Sequence, residues 1–276
     1  MSDSFHTPSK IVPSLIEDED GTFTEFINRS ATNRMIDAHL EASGSINLPE
    51  YQTHKYKIRE LIALCIFNGS SANLLSTVSP RVSEKFKKMN LTLPRKPSLS
   101  GVFEIVNLSN LRFKHVPLAS LKFLNDHFRM KILNLSSTNV NVAQLNGANL
   151  NNVEALFLEN IGLTTFPRLL SFSILRVLDL SNNNITKLEP EGYFDKKAKK
   201  YGELPHLEFL YLYNNPIKRT DISSEFARIF VYDADIILDE SSLSISELRL
   251  NKRGGSRKRP IGLVSEDEDQ PSGTNT

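Results

Sequence analysis

The chain of 276 residues has no tryptophan, a single cysteine (Cys65) and only 8% aromatic residues. One cysteine cannot close an intrachain disulfide, so a stapled secreted scaffold is excluded. No apolar run approaches the roughly 20 residues that span a bilayer. The first twenty residues lack the apolar stretch of a signal peptide and end in Glu17-Asp18-Glu19-Asp20. The expectation is therefore an intracellular, non-secreted chain. An excess of either charge is also missing, since 33 Lys and Arg face 32 Asp and Glu for a formal net charge of +1. That balance speaks against a uniformly basic nucleic-acid coat and against an acidic solubilising protein, while leaving room for local patches.

Catalytic constellations are missing too. His6, His39, His54, His115, His127 and His206 are scattered without metal-ligand spacing. No G-x-x-x-x-G-K or G-x-G-x-x-G loop is present, and Gly254-Gly255 lies in a basic tail, where it reads as a flexible link. Neither an enzyme nor a bound cofactor is expected. Six Asn-x-Ser/Thr sequons begin at Asn28, Asn68, Asn90, Asn107, Asn134 and Asn184. In an intracellular chain they are byproducts of a composition rich in Asn and Ser.

What is present is a period. The template L-x-x-L-x-L-x-x-N-x-L is filled in every slot by Leu175, Leu178, Leu180, Asn183 and Ile185, and again by Leu207, Leu210, Leu212, Asn215 and Ile217. Met130, Leu133, Leu135 and Val140 match with Thr138 in the asparagine slot. Val153, Leu156, Leu158 and Leu163 match with Ile161 there, and Phe103, Val106, Leu108 and Phe113 with Leu111 there. Successive first positions lie 27, 23, 22 and 32 residues apart, so one insertion precedes the last unit. Within each unit a short strand points its two leucines to one side and their neighbours to the other. Stacked units bury those leucines in a core that no single unit could close. Asparagine at the ninth position can bond the backbone where the chain leaves the strand. The three units lacking it are expected to lose part of that ladder, making the N-terminal half less regular.

On these residues, 103–217 resemble the leucine-rich-repeat superfamily. The resemblance implies an α/β fold: a leucine-rich-repeat solenoid with a curved parallel sheet of about five to six repeats. Asn215-Pro216-Ile217 is similar to a last repeat leading into a C-terminal cap. Ile236 and Leu238 fit the strand slots of a degenerate sixth unit. Two further stretches, YKIRELIALCIFNGSSANLLSTVSPRVSEKFKKM (Tyr56 to Met89) and SRKRPIGLVSEDEDQPS, are similar to the family of leucine-rich repeat-containing protein 42. That likeness implies architecture rather than activity.

The flanks divide accordingly. Residues 1–50 read as largely disordered with a short helix, since Thr22-Phe23-Thr24-Glu25 has capping-box spacing. Residues 51–98 read as a helical cap and linker, with Ile58, Leu61, Ile62 and Cys65 at helical spacing, then Leu74, Leu75 and Val78, then Val82, Phe86 and Met89. Residues 99–243 hold the repeats, and 244–276 form a disordered tail, basic and then acidic. Leu61-x3-Cys65 also resembles the core of elongin-binding boxes, although Glu60 and Gly69 depart from that pattern at both flanks. Burial of both residues in a cap helix is the simpler reading.

A binding face follows from the template. Its third, fifth and seventh positions face outward from each strand. In the last three units they are Ala155, Phe157, Glu159; Val177, Asp179, Ser181; and Phe209, Tyr211, Tyr213. Three aromatics on one ribbon, with Phe157 and Asp179 alongside, are the kind of anchor that protein interfaces use. The opposing reading is that other parts of the chain cover this stripe. Two basic clusters stand apart from it. Lys196, Lys197, Lys199 and Lys200 occupy the insertion, where a solvated helix face is expected. Lys252, Arg253, Arg257, Lys258 and Arg259 fit a nuclear-import signal. Glu266-Asp267-Glu268-Asp269 follows and would weaken contact with nucleic-acid phosphates. Ser265 precedes that run and suits an acid-directed kinase. The expected function is a non-enzymatic, nuclear or nucleocytoplasmic scaffold for an unidentified protein partner, without cofactor or membrane attachment. The alternatives are an RNA-associated factor and a ubiquitin-ligase substrate adaptor.

Overall fold

The computed structural model describes residues 10–68, 103–188, 194–195, 200–201, 204, 206–217, 235–237 and 243–244. Each repeat contributes a three-residue strand: β1 (Ile105–Asn107), β2 (Ile132–Asn134), β3 (Ala155–Phe157) and β4 (Val177–Asp179). The insertion supplies a separate ribbon of β5 (Phe194–Asp195) and β6 (Lys200–Tyr201), followed by β7 (Phe209–Tyr211), β8 (Asp235–Ile237) and β9 (Leu243–Ser244). The main sheet runs β1-β2-β3-β4-β7-β8-β9. Its first six strands are parallel and β9 is antiparallel to β8.

The register repeats without a slip. Val106, Leu133, Leu156, Leu178 and Leu210 stand side by side, each 0% exposed. A one-residue shift would move this whole row to the opposite face of the sheet and out of the main core, which is why the pairing is so well specified. Ile236 pairs with Leu210, the strand slot expected of a sixth unit, whereas Leu238 lies outside the described residues. Behind the sheet, α4 (Leu118–Phe128) links β1 to β2 and α5 (Val142–Leu145) lies between β2 and β3, after the N-terminal helices α1 to α3 described below. Between β3 and β4 the chain carries no helix; Phe166, Leu169 and Phe172 fill the core there.

The asparagine slot works as expected where it is filled. Asn183 Oδ1 accepts from the N–H groups of Ile161 (3.1 Å) and Leu163 (3.0 Å), while Nδ2 donates to the carbonyls of Leu158, Leu180 and Ser181. Asn215 bonds Ile185, Leu180, Leu212 and Tyr213 in the same manner. Thr138 closes only its own turn by donating to Leu135 O (2.7 Å). Its neighbour Asn139 makes good the lost bridge, accepting from Phe113 N–H (2.8 Å) and donating to Phe113 O (2.9 Å). Between these two units the ladder is thus displaced by one residue rather than lost.

The N-terminal segment departs from the expectation of a largely disordered 1–50. Helices α1 (Thr22–Ile27) and α2 (Ser30–Ala42) form within it, and Leu15, Ile16, Phe23, Ile27, Ile36 and Leu40 join the main core. The capping box also resolves differently. Thr22 is the first helical residue, and the Asp18 carboxylate, farther upstream, accepts from Phe23 N–H (3.1 Å) and Thr24 N–H (2.7 Å). Glu25 pairs with Arg29 instead of reaching back. Helix α3 (Pro49–Phe67) starts with proline in its first turn, where the missing N–H costs nothing. It packs on α4 and buries Ile58, Leu61, Ile62, Ala63, Leu64 and Cys65. The expected helices after Gly69 lie outside the described residues. Rings seal the cap to the first repeat: His39 lies 5.1 Å from Phe103, and Phe103 lies 4.7 Å from Phe128.

The insertion corrects another expectation. Asp195 and Lys200 face each other across an antiparallel pair, so the described ends of this segment form a β-ribbon and not a helix face.

Candidate protein-interaction face

The outward row is built on a local motif that the strand geometry imposes. Asn107, Asn134 and Asp179 occupy the fifth position of their units, and each Oδ1 accepts from the N–H two residues on, at Ser109 (3.2 Å), Ser136 (3.0 Å) and Ser181 (2.9 Å). These side chains satisfy the backbone at the strand exit. The eighth position then turns left-handed in each of the five template units: Asn110, Ser137, Asn160, Asn182 and Asn214 have φ of 61°, 56°, 52°, 55° and 52°. Asparagine tolerates this region better than other side chains with a Cβ. The residues bond along the edge, Asn160 Nδ2 to Ser137 Oγ (3.2 Å) and Asn214 Nδ2 to Asn182 Oδ1 (2.7 Å).

On the C-terminal half of this row the register aligns Phe157 with Asp179 and Asp179 with Tyr211. Along β7 the ring of Tyr211 lies 6.5 Å from Phe209 and 6.1 Å from Tyr213, both pairs tilted. The five expected partner-binding residues are thus brought together. They are not equally accessible: Phe157 and Tyr211 are 1% exposed and Asp179 4%, within an apolar cluster that also holds Ile105, Ile132, Ala155 and Val177. Phe209 and Tyr213 pack half-buried against it. Phe157, Asp179 and Tyr211 are therefore corrected from exposed anchors to buried members of the face, where Phe157 and Tyr211 pack with Ile105, Ile132, Ala155 and Val177. Burial pushes the Asp179 carboxyl up to about 6; its hydrogen bonds with Ser181 oppose the shift and Glu159 adds to it.

A second row lay unread in the sequence. At the second position of the units stand Glu104, Lys131, Glu154, Arg176 and Glu208, alternating in sign. Lys131 Nζ meets Glu104 at 3.4 Å, and Arg176 meets Glu154 at 3.3 Å and Glu208 at 2.7 Å. Aligning the five units on their leucines and comparing that column exposes the pattern. The left-handed eighth position was legible in the same way.

Elsewhere the expected sites fare differently. Leu61 and Cys65 are both 0% exposed in the cap core, and burial pushes the Cys65 thiol up to about 12. That favours the buried reading over an elongin-binding one. Asn107 and Asn134, two of the sequons, are buried with Oδ1 engaged by their own turns. Lys196, Lys197, Lys199, Lys252, Arg253, Arg257, Lys258, Arg259 and Ser265 lie outside the described residues. Among the described residues no group of three His, Cys, Asp or Glu could hold a metal ion, and no helix is long and apolar enough to cross a membrane.

Residues 175–226 match the family described as Leucine Rich repeats (2 copies). The match begins at Leu175 and covers both units that fill every template slot, so this part of the chain consists of leucine-rich repeats. No curated protein and no solved structure matches the chain.

Proposed function

We propose that the repeats form one solenoid of six units, and that it acts as a non-enzymatic protein-interaction module. A partner sits on the outward, concave face of the sheet toward its C-terminal end. The observation that carries this reading is the aromatic column of β7, where Phe209 and Tyr213 stay half-buried around a fully buried Tyr211. Rings already held by neighbours lose little rotamer freedom on binding, which is what an interface anchor requires. Import through Lys252, Arg253, Arg257, Lys258 and Arg259 belongs to the same reading, supported by five cations within eight residues. The test compares proximity labelling by the full chain and by a Phe209→Ala, Tyr213→Ala double variant that leaves Tyr211 in place. Loss of specific labelled proteins with an unchanged unfolding midpoint supports the reading. Retention of every one of them by the folded variant overturns it. Steeply salt-dependent RNA binding by the purified chain would favour a nucleic-acid role instead.

A further inference from the structure

Residues 10–17 form a strap without helix, bent at Ser14 and Leu15, that joins the helical cap to the first repeat. Asn28 exchanges two bonds with the backbone of Ile11, at 2.7 and 2.9 Å. Leu15 O accepts from Lys114 N–H (2.9 Å), Glu17 N–H donates to Arg112 O (2.8 Å), and Ile16 bridges Phe113 in antiparallel fashion. The strap is fastened by one buried carboxylate. Glu60, 2% exposed, takes the N–H groups of Ser14 (2.8 Å) and Leu15 (2.7 Å) on Oε1, and the Ser14 hydroxyl (2.8 Å) on Oε2. Ser14 itself is an exposed residue. It is followed by Glu17, Asp18, Glu19 and Asp20, of which Glu17, in the third place after it, Glu19 and Asp20 are exposed. Acidic residues placed so are what a kinase with a basic substrate groove recognises.

We propose that Ser14 is a phosphorylation site for an acid-directed protein kinase, and that its phosphate releases the strap from Glu60. In the reaction Ser14 Oγ attacks the γ-phosphorus of ATP, the bond to the β-phosphate oxygen breaks, and ADP leaves. The hydroxyl proton passes to the kinase's base and on to water. The product has lost the hydrogen that Oε2 accepted, and a group carrying about −1.5 to −2 charges now faces a carboxylate at hydrogen-bond distance. With Glu60 shielded from water, that repulsion is little screened. The strap is the side that can yield, because it lies outside any helix or regular strand whereas Glu60 sits within α3. Its departure uncovers Leu15, Ile16 and Phe113 and frees the first repeat from the cap at this edge.

The experiment treats the full chain with ATP and an acid-directed kinase, then maps phosphopeptides and amide hydrogen exchange. The expected result is phosphate on the Ser14 peptide, absent in Ser14→Ala, with exchange at Leu15, Glu17 and Lys114 accelerated about tenfold or more. Phosphate confined to other peptides, Ser265 included, overturns the proposal. So does a phosphorylated Ser14 with unchanged exchange. In Glu60→Gln, which keeps an acceptor for both backbone amides, phosphorylation should accelerate exchange less than in the unaltered chain. Equal acceleration would sink the role given to Glu60, and the comparison in the unaltered chain decides the matter if that variant does not fold.

Discussion

At the scale of single residues, the chain shows how one side chain can serve two repeats. Asn183 is buried and holds five backbone groups, three of them in the preceding unit. Replacing it with Ala strands those groups away from water and is expected to cost about 2–3 kcal/mol. Asn183→Thr should cost roughly half as much, because Thr138 shows that a hydroxyl still closes its own turn. Chemical denaturation of the two variants measures both. Asp179 makes the opposite case, a polar group whose burial works against the fold. Its folded pKa of about 6 lies above the ordinary 3.8, so the folded state holds the proton more tightly than the unfolded chain. The contribution of Asp179 to stability is thus greatest below about pH 4 and is lost as pH rises through about 6. Asp179→Asn keeps the Oδ1 acceptor, as Asn107 and Asn134 do in the same slot. It should raise stability at neutral pH by on the order of 2–3 kcal/mol and leave it unchanged near pH 4. Urea midpoints that move equally at both values would refute this account.

At the scale of elements, strands of three residues cannot stand alone, and their neighbours supply what they lack. The hydrogen-bond ladder runs past each strand, with Leu108, Leu135, Leu158 and Leu180 N–H donating to the fifth residue of the next unit at 2.8–2.9 Å. The charged row reinforces one end of the same sheet. Arg176 sits between two carboxylates and contacts Glu208 through both Nε and Nη2, whereas Lys131 makes one longer contact to Glu104. Arg176→Ala should therefore cost about 1 kcal/mol and lose that cost in high salt, with Lys131→Ala below about 0.5 kcal/mol. Arg176→Lys should recover little, since an ammonium cannot reproduce the forked contact. Equal penalties for Arg176→Ala and Lys131→Ala at low salt would show that the row contributes no more than scattered surface pairs. The cap helices are elements of another kind. Capping-box spacing pointed to one short helix in a largely disordered segment, yet both α1 and α2 form, with Phe23, Ile27, Ile36 and Leu40 in the shared core.

At the scale of the molecule, the cap and the repeats share one core, which runs from Leu15 through Leu64 and Phe103 to Leu212. Deleting residues 1–67 should expose Phe103 and Phe128 and turn the chain into a self-associating species, which size-exclusion chromatography would detect. A monodisperse, cooperatively folding truncation would mean that the repeats close their own end. Much of this organisation could be read before the structure. The in-register row of Val106 and four leucines, the Asn183 and Asn215 bridges, the sixth-strand position of Ile236 and the burial of Cys65 all followed from local spacing. The left-handed eighth position and the alternating charges were equally visible once the units were aligned, but a template that leaves those slots blank hides them.

What the amino-acid order determined by itself is the period: which residues enter the core, where each turn falls, and which positions share a face. A repeat is a local object, and its leucines and asparagines carry the same instruction wherever the unit occurs. Tertiary structure alone decided access and charge. Phe157, Asp179 and Tyr211 share a face by sequence but are withdrawn from water by packing, and the same packing moves the Asp179 proton. Glu60 joins Ser14 across 46 residues, a contact that no window of sequence contains. Burial and electrostatics depend on which segments meet, and that meeting is a property of the assembled core.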